Sequence, residues 1–112
     1  MIRTFVESSS FSKRVNQEGV ELLREIQAEV LQSLELGDII PGTAGLRKLR
    51  VGDVGRKKGK RGGFRVIYLD LPHVAKTYLL ALYDKSEKSD ISAGEKKVLR
   101  GLVDKLKKET TR

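Results

Sequence analysis

Phe64 to Leu69 and Thr77 to Tyr83 are rich in aromatic and aliphatic residues on both parities of a period-two pattern. A segment of that kind is a central strand, since an edge strand or a one-sided strand would alternate with polar residues. Asp70, Leu71, Pro72 and His73 form the turn between them, and so short a connection makes the pair antiparallel. The rest of the chain has to supply cover for these two strands and edges for their sheet.

Upstream, Leu49 and Val51 alternate with Lys48 and Arg50, the pattern of a strand with one covered and one open face, the charged pair being on the open one. Between this strand and Phe64, the stretch Gly52 to Gly63 interleaves glycine with Arg56, Lys57, Lys58, Lys60 and Arg61 and has almost no apolar content, so it reads as a long hairpin loop. From Leu46 to Arg65 there are nine Lys or Arg residues and a single acid, Asp53, a net charge of +8. The whole protein has the same formal charge, so its remaining residues sum to zero. A positive field concentrated in this way favours phosphate contact and fast, salt-sensitive association with a polyanion.

The flanking segments supply the helices. Ile2, Thr4 and Val6 alternate with Arg3, Phe5 and Glu7 as a short first strand, and Ser8 to Ser10 offer caps for a helix carrying Phe11 and Val15 on one face. After a break at Asn16 to Gly19, Val20 to Leu34 presents Leu23, Ile26, Val30 and Leu34 as one stripe. Gly37, Pro41, Gly42 and Gly45 punctuate an irregular connection over 36–45. Ser92 and Glu95 have capping-box spacing ahead of a final helix with Val98, Leu99, Leu102, Val103 and Leu106 at helical intervals. The expected order is β-α-α-β-β-β-α, a single small α+β domain over 1–112, with helices packed on one face of a mostly antiparallel sheet. A length of 112 residues, with 38% hydrophobic and 34% charged residues, suits one modest core.

Several chemistries find no residues here. There are no cysteines, so disulfides, thiolate metal sites and cysteine nucleophiles are out, and the compartment leans toward the cytoplasm. His73, the single histidine, reads as a surface turn residue, leaving no Ser-His-Asp set and no metal constellation. The basic loop lacks the phosphate-loop spacing, and no resident cofactor is expected. No apolar run suggests a signal peptide or a membrane span.

The residues that carry a family likeness are Gly45-Leu46-Arg47-Lys48-Leu49-Arg50-Val51, the basic glycine-rich loop, and Gly62-Gly63-Phe64-Arg65-Val66-Ile67-Tyr68. With Phe5-Val6-Glu7-Ser8, Leu36 to Ile40, Gly42-Thr43, Tyr78-Leu79-Leu80 and Tyr83 to Ile91 in order around them, the chain resembles the RelE/HigB superfamily of bacterial toxin-antitoxin toxins, HigB-type members above all. The resemblance implies a ribosome-dependent endoribonuclease that cuts mRNA in the ribosomal A site, silenced by a cognate antitoxin, HigA-like with a helix-turn-helix DNA-binding fold. It makes Lys48, Arg50 and Arg65 the catalytic positions on the open sheet face. Better-known RelE members have an arginine where this chain has Ser86 and a tyrosine where it has Ser92; Lys85, beside Ser86, can supply the charge.

RNA brings its own nucleophile, the 2′-hydroxyl, so such an enzyme needs only to align it with phosphorus, move its proton and neutralise the phosphate. Arg65 is then the phosphate clamp, Lys48 the base, crowded by Arg50, Arg65 and Lys85, and Lys85 the acid at the leaving 5′-oxygen. Arg47, Arg56, Lys57, Lys58, Lys60, Arg61 and Lys88 are the expected contacts to RNA or ribosome. An ion pair of Arg65 with Asp70, Asp84 or Glu87 is the purely structural alternative. The rival functions are a ParE-like gyrase poison of similar architecture, a non-catalytic RNA- or ribosome-binding module, and a decayed toxin.

Overall fold

The computed structural model describes residues 3–35, 37–52, 63–87 and 90–110. Ser8 starts the first helix as expected: its hydroxyl accepts from Phe11 N at 3.1 Å and donates to Leu80 O at 2.8 Å, fastening the cap to the sheet. In chain order the elements are β1 (Thr4–Glu7), α1 (Ser9–Glu18), α2 (Val20–Gln32), β2 (Asp38–Ile39), β3 (Arg47–Val51), β4 (Phe64–Leu71), β5 (Lys76–Asp84) and α3 (Ala93–Thr110). A 3-10 turn, Pro72–Val74, joins β4 to β5 and carries His73 at the surface.

The five strands form one sheet in the order β1-β5-β4-β3-β2. β1 runs parallel to β5, and every other pairing is antiparallel. The two apolar runs are indeed its centre, β4 and β5. Four sequence expectations change in detail, the first being that the expected turn residues Asp70 and Leu71 belong to β4 and pair with Thr77 and Lys76. α1 continues through Asn16 to Glu18 and breaks only at Gly19, whose φ of 108° is one that side-chain-bearing residues rarely adopt. Asp38 and Ile39 pair with Lys48 and Arg47, so part of the irregular connection is a two-residue edge strand. On α2 the deepest residue of the first turn is Leu22, with Leu23 packed at the margin of the core.

The expectation that helices lie on one face requires correction. Phe64, Val66 and Tyr68 of β4 pack with Phe11, Val15, Leu22, Ile26 and Val30 of α1 and α2, whereas Ile67, Leu69 and Leu71 pack with Val103, Leu99, Leu102 and Leu106 of α3. Successive β4 side chains point to opposite faces, so α3 covers the face opposite α1 and α2. The physical reason is that a central strand apolar on both parities has to be sheltered from water twice. A register shift after Ile67 turns Leu80 and Ala81, consecutive on β5, toward the same α3-side core. Val98 faces away from that core and is 73% exposed.

Candidate functional site

The β3–β4 register builds the site. Arg50 pairs with Arg65, and Arg65 pairs with Tyr83, so these three side chains form one row across β3, β4 and β5; Lys48, Ile67 and Ala81 form the next row on the same face. Cross-strand partners lie about 5 Å apart and the Lys48–Arg65 diagonal is about 8 Å, within the reach of long side chains converging on one phosphodiester. It is the α3 side of the sheet. Arg50 is exposed, whereas Arg65 is only 6% exposed, its Nη1 donating to Gly63 O at 3.4 Å. Like charges placed directly opposite each other weaken a sheet. An arginine pair in register, one member buried, is an arrangement that an anion would relieve.

The purely structural alternative for Arg65 loses its proposed partners. Asp70 and Asp84 lie on the opposite parity from Arg65, Asp84 being the register partner of Phe64. Asp70 is bound by Arg3 and Thr77, and Glu87 by Arg14.

Lys48 acquires a carboxylate that sequence reasoning missed: its Nζ lies 3.4 Å from Asp90 Oδ1. The Ile91 amide, donating to the same oxygen at 2.8 Å, holds Asp90 below the ordinary carboxylate range, with Lys48 and Lys96 adding to the effect against its partial burial. Tyr83 was also missed as a site residue, its place at the end of an apolar strand and the start of the family-like segment 83–91 giving it no chemical role. Burial pushes its phenol up, Asp90 and Glu95 add to that, and Arg65 opposes it. Tyr83 thus places a buried phenol, held in its protonated form, in the row beside Arg65.

Lys85 is exposed in the turn that follows β5, two residues beyond Tyr83. The two serine departures have local structural roles. Ser86 N and Oγ both donate to Asp84 Oδ1, at 2.9 and 3.0 Å, and close that turn. Ser92 and Glu95 form the expected capping box of α3, Ser92 N donating to Glu95 Oε1 at 2.9 Å and Glu95 N to Ser92 Oγ at 3.1 Å.

Arg47 does not join the row. The pleat sends it to the other face, where Nη1 donates to Glu35 O at 3.0 Å and Gly37 O at 2.8 Å and so pins the connection after α2. Arg56, Lys57, Lys58, Lys60, Arg61 and Lys88 lie outside the described residues.

Gly63 lets β3 and β4 approach where the basic segment leaves them, because a Cβ there would run into the Val51 carbonyl oxygen and the Gly52 Cα. Both obstacles are backbone and cannot rotate away. Gly63→Ala is therefore expected to cost about 1–3 kcal/mol in urea unfolding, the usual range for forced overpacking, and to disturb the Arg50–Arg65 register beside it. A variant as stable as the parent would show that the two strands have room to part.

No protein-family model matches the chain. Among solved structures, the fold is similar to that of an arginine double mutant of the E. coli toxin RelE in the free state, with a TM-score of 0.54 at 12% sequence identity, over 73% of this chain and 82% of that one. In both its sheet and its helices, the chain has a RelE-like fold.

Proposed function

We propose that this protein is the toxin of a type II toxin-antitoxin system, a HigB-like ribosome-dependent endoribonuclease that inhibits translation by cutting mRNA in the A site. The observation that carries this reading is the register of Arg50 with Arg65, with Lys48 on the same face. A sheet that accepts the cost of opposed cations where its surface opens has a use for a bound phosphate. The RelE-like fold supports the reading, as do the motifs noted in the sequence.

In the proposed reaction Arg65 and Arg50 grip the non-bridging oxygens of the scissile phosphate. The ribose 2′-oxygen attacks phosphorus as Lys48, reacting from its neutral amine form, takes the proton, and the bond from phosphorus to the 5′-oxygen breaks as the Lys85 ammonium delivers a proton to that oxygen. The products are a 2′,3′-cyclic phosphate and a 5′-hydroxyl end. Arg65 supplies charge stabilisation that grows as the phosphorane forms, and its fixed place on a central strand means little reorganisation at that moment. A HigA-like antitoxin and the ribosome are the proposed partners, and the proposed compartment is the cytoplasm; among the described residues no helix is long and apolar enough to cross a membrane.

The test is to map transcript 5′ ends shortly after induction. New 5′-hydroxyl ends at consistent positions within the codons of translated messages are expected. Inhibition of growth with intact transcripts would overturn the nuclease and favour a gyrase poison, and ribosome binding without new ends would leave a non-catalytic module.

The basic segment 53–62 adds affinity in this scheme. Neutralising Lys57, Lys58 and Lys60 together is expected to lower the slope of log affinity against log salt by about 0.7 for each phosphate that a lysine no longer neutralises, with the cut positions unchanged. Ribosome-binding titrations over a salt series measure it. An unaltered slope would mean that these lysines touch no phosphate.

A further inference from the structure

Arg14 belongs to α1, yet its guanidinium reaches across to the turn that carries Lys85. Its Nη2 lies 2.6 Å from Glu87 Oε1, its Nε lies 3.3 Å from Glu18 Oε2, and its ζ carbon stands 5.5 Å from the centroid of the Phe64 ring. Phe64 immediately precedes Arg65 on β4 and is the register partner of Asp84, the last residue of β5. One cation thus touches the first residue of β4 and the turn that follows β5.

The turn is closed on itself around the same contact. Glu87 Oε1 also accepts from Asp84 N at 3.0 Å, Glu87 N donates to Asp84 O at 2.9 Å, and Asp84 Oδ1 takes the two bonds from Ser86. Lys85 sits inside this knot with its side chain in solvent. The hydrogen bond from Arg14 is the main cause that holds Glu87 below the ordinary carboxylate range, and the same bond raises Arg14, so both partners remain charged. The Glu87 side chain is 44% exposed, and an exposed pair of this kind contributes little to stability. What it does contribute is direction: it fixes where an otherwise self-contained turn sits relative to the end of β4.

We infer that Arg14 is a positioning residue, whose pairing with Glu87 and stacking on Phe64 set the Lys85 turn so that the Lys85 ammonium reaches the phosphodiester held by Arg65. The inference rests on the proposed nuclease reading and adds to it a residue on the opposite side of the sheet. Arg14 touches neither substrate nor reacting atoms and acts only through Lys85.

The experiment measures cleavage of a reporter mRNA by the full chain on translating ribosomes, over a range of ribosome concentrations. Arg14→Gln and Glu87→Gln are each expected to slow cleavage at saturation about 10-fold, with half-saturation and thermal midpoint close to the parent values. In a Lys85→Ala background Arg14→Gln should cost nothing more, since its effect has no other route, and the exchanged pair Arg14→Glu with Glu87→Arg should recover most of the rate. Should Arg14→Gln fail to fold, Glu87→Gln carries the same comparison. An Arg14→Gln protein that cuts at the parent rate, or one that loses a further 10-fold on top of Lys85→Ala, overturns the inference and leaves the nuclease reading intact. A parent protein that leaves no new 5′-hydroxyl ends overturns both.

Discussion

Arg65→Ala is expected to lower the rate of mRNA cleavage on translating ribosomes by at least about 100-fold, and with it to abolish growth inhibition, while the protein stays folded. The size follows from removing a fixed donor to a developing phosphorane charge, where single groups are worth about 100- to 1000-fold. Retention of the fold follows from two opposing terms. The buried arginine stem is lost from the sheet surface, but so is the repulsion between two guanidinium groups in register, Arg50 being the direct partner of Arg65. Arg65→Lys is expected to fall well short of the parent too, since an ammonium offers one point of charge where the guanidinium offers a planar fork. Circular dichroism and a thermal melt on the purified variant separate loss of chemistry from loss of structure. A folded Arg65→Ala protein that still cuts at the parent rate would remove Arg65 from the mechanism.

The parts of this site that could be read from sequence are those that depend on periodicity. Lys48 and Arg50 share a face because they are two residues apart on a strand, and that relation survives any error in where the strand pairs. The same rule places Arg47 on the other face, but composition had drawn it into the basic patch; its hydrogen bonds to Glu35 and Gly37 carbonyls show a side chain used to hold the chain's own backbone. The opposition of Arg50 and Arg65 was not legible, because the long basic segment between β3 and β4 leaves their register open, and a slip by one residue would have put the two arginines on different faces. Asp90 meets Lys48 across 42 positions of sequence, and no local pattern announces such a contact.

The placement of α3 was legible in principle. Phe64 to Leu69 offers apolar side chains to both faces, so a helix had to lie on each; Leu99, Leu102, Val103 and Leu106 had nowhere else to go. Ser86 stood out in the sequence only as a departure from a family pattern, whereas Ser92 was also legible as the cap of α3 from its spacing to Glu95. Their bonds to Asp84 and Glu95 give them a positive role in closing a turn and starting a helix.

A large effect on stability is expected at the far end of the sheet, where Asp70→Ala should cost about 3–5 kcal/mol in urea unfolding. Arg3 Nη2 lies 3.3 Å from Asp70 Oδ2, with only 11% and 10% of the two side chains exposed, and Thr77 Oγ1 donates to Asp70 Oδ1 at 2.8 Å. Because β5 stands between β1 and β4, this pair spans the central strand and ties the parallel edge strand to the middle of the sheet. Removing the carboxylate strands a buried guanidinium and deprives the fully buried Thr77 hydroxyl of its acceptor, and each loss carries its own desolvation cost. Against a total stability of about 5–15 kcal/mol for a domain of this kind, that is enough to unfold a large share of the molecules on warming. Replacing both partners by apolar side chains of similar volume should be far milder, since no buried charge is then left alone. Below the transition, the folded fraction of Asp70→Ala should still cut RNA at the parent rate, because Asp70 faces the opposite side of the sheet from Arg50, Arg65 and Lys48. A loss smaller than about 1 kcal/mol would show that water or a rearranged β1 already satisfies Arg3 without its partner.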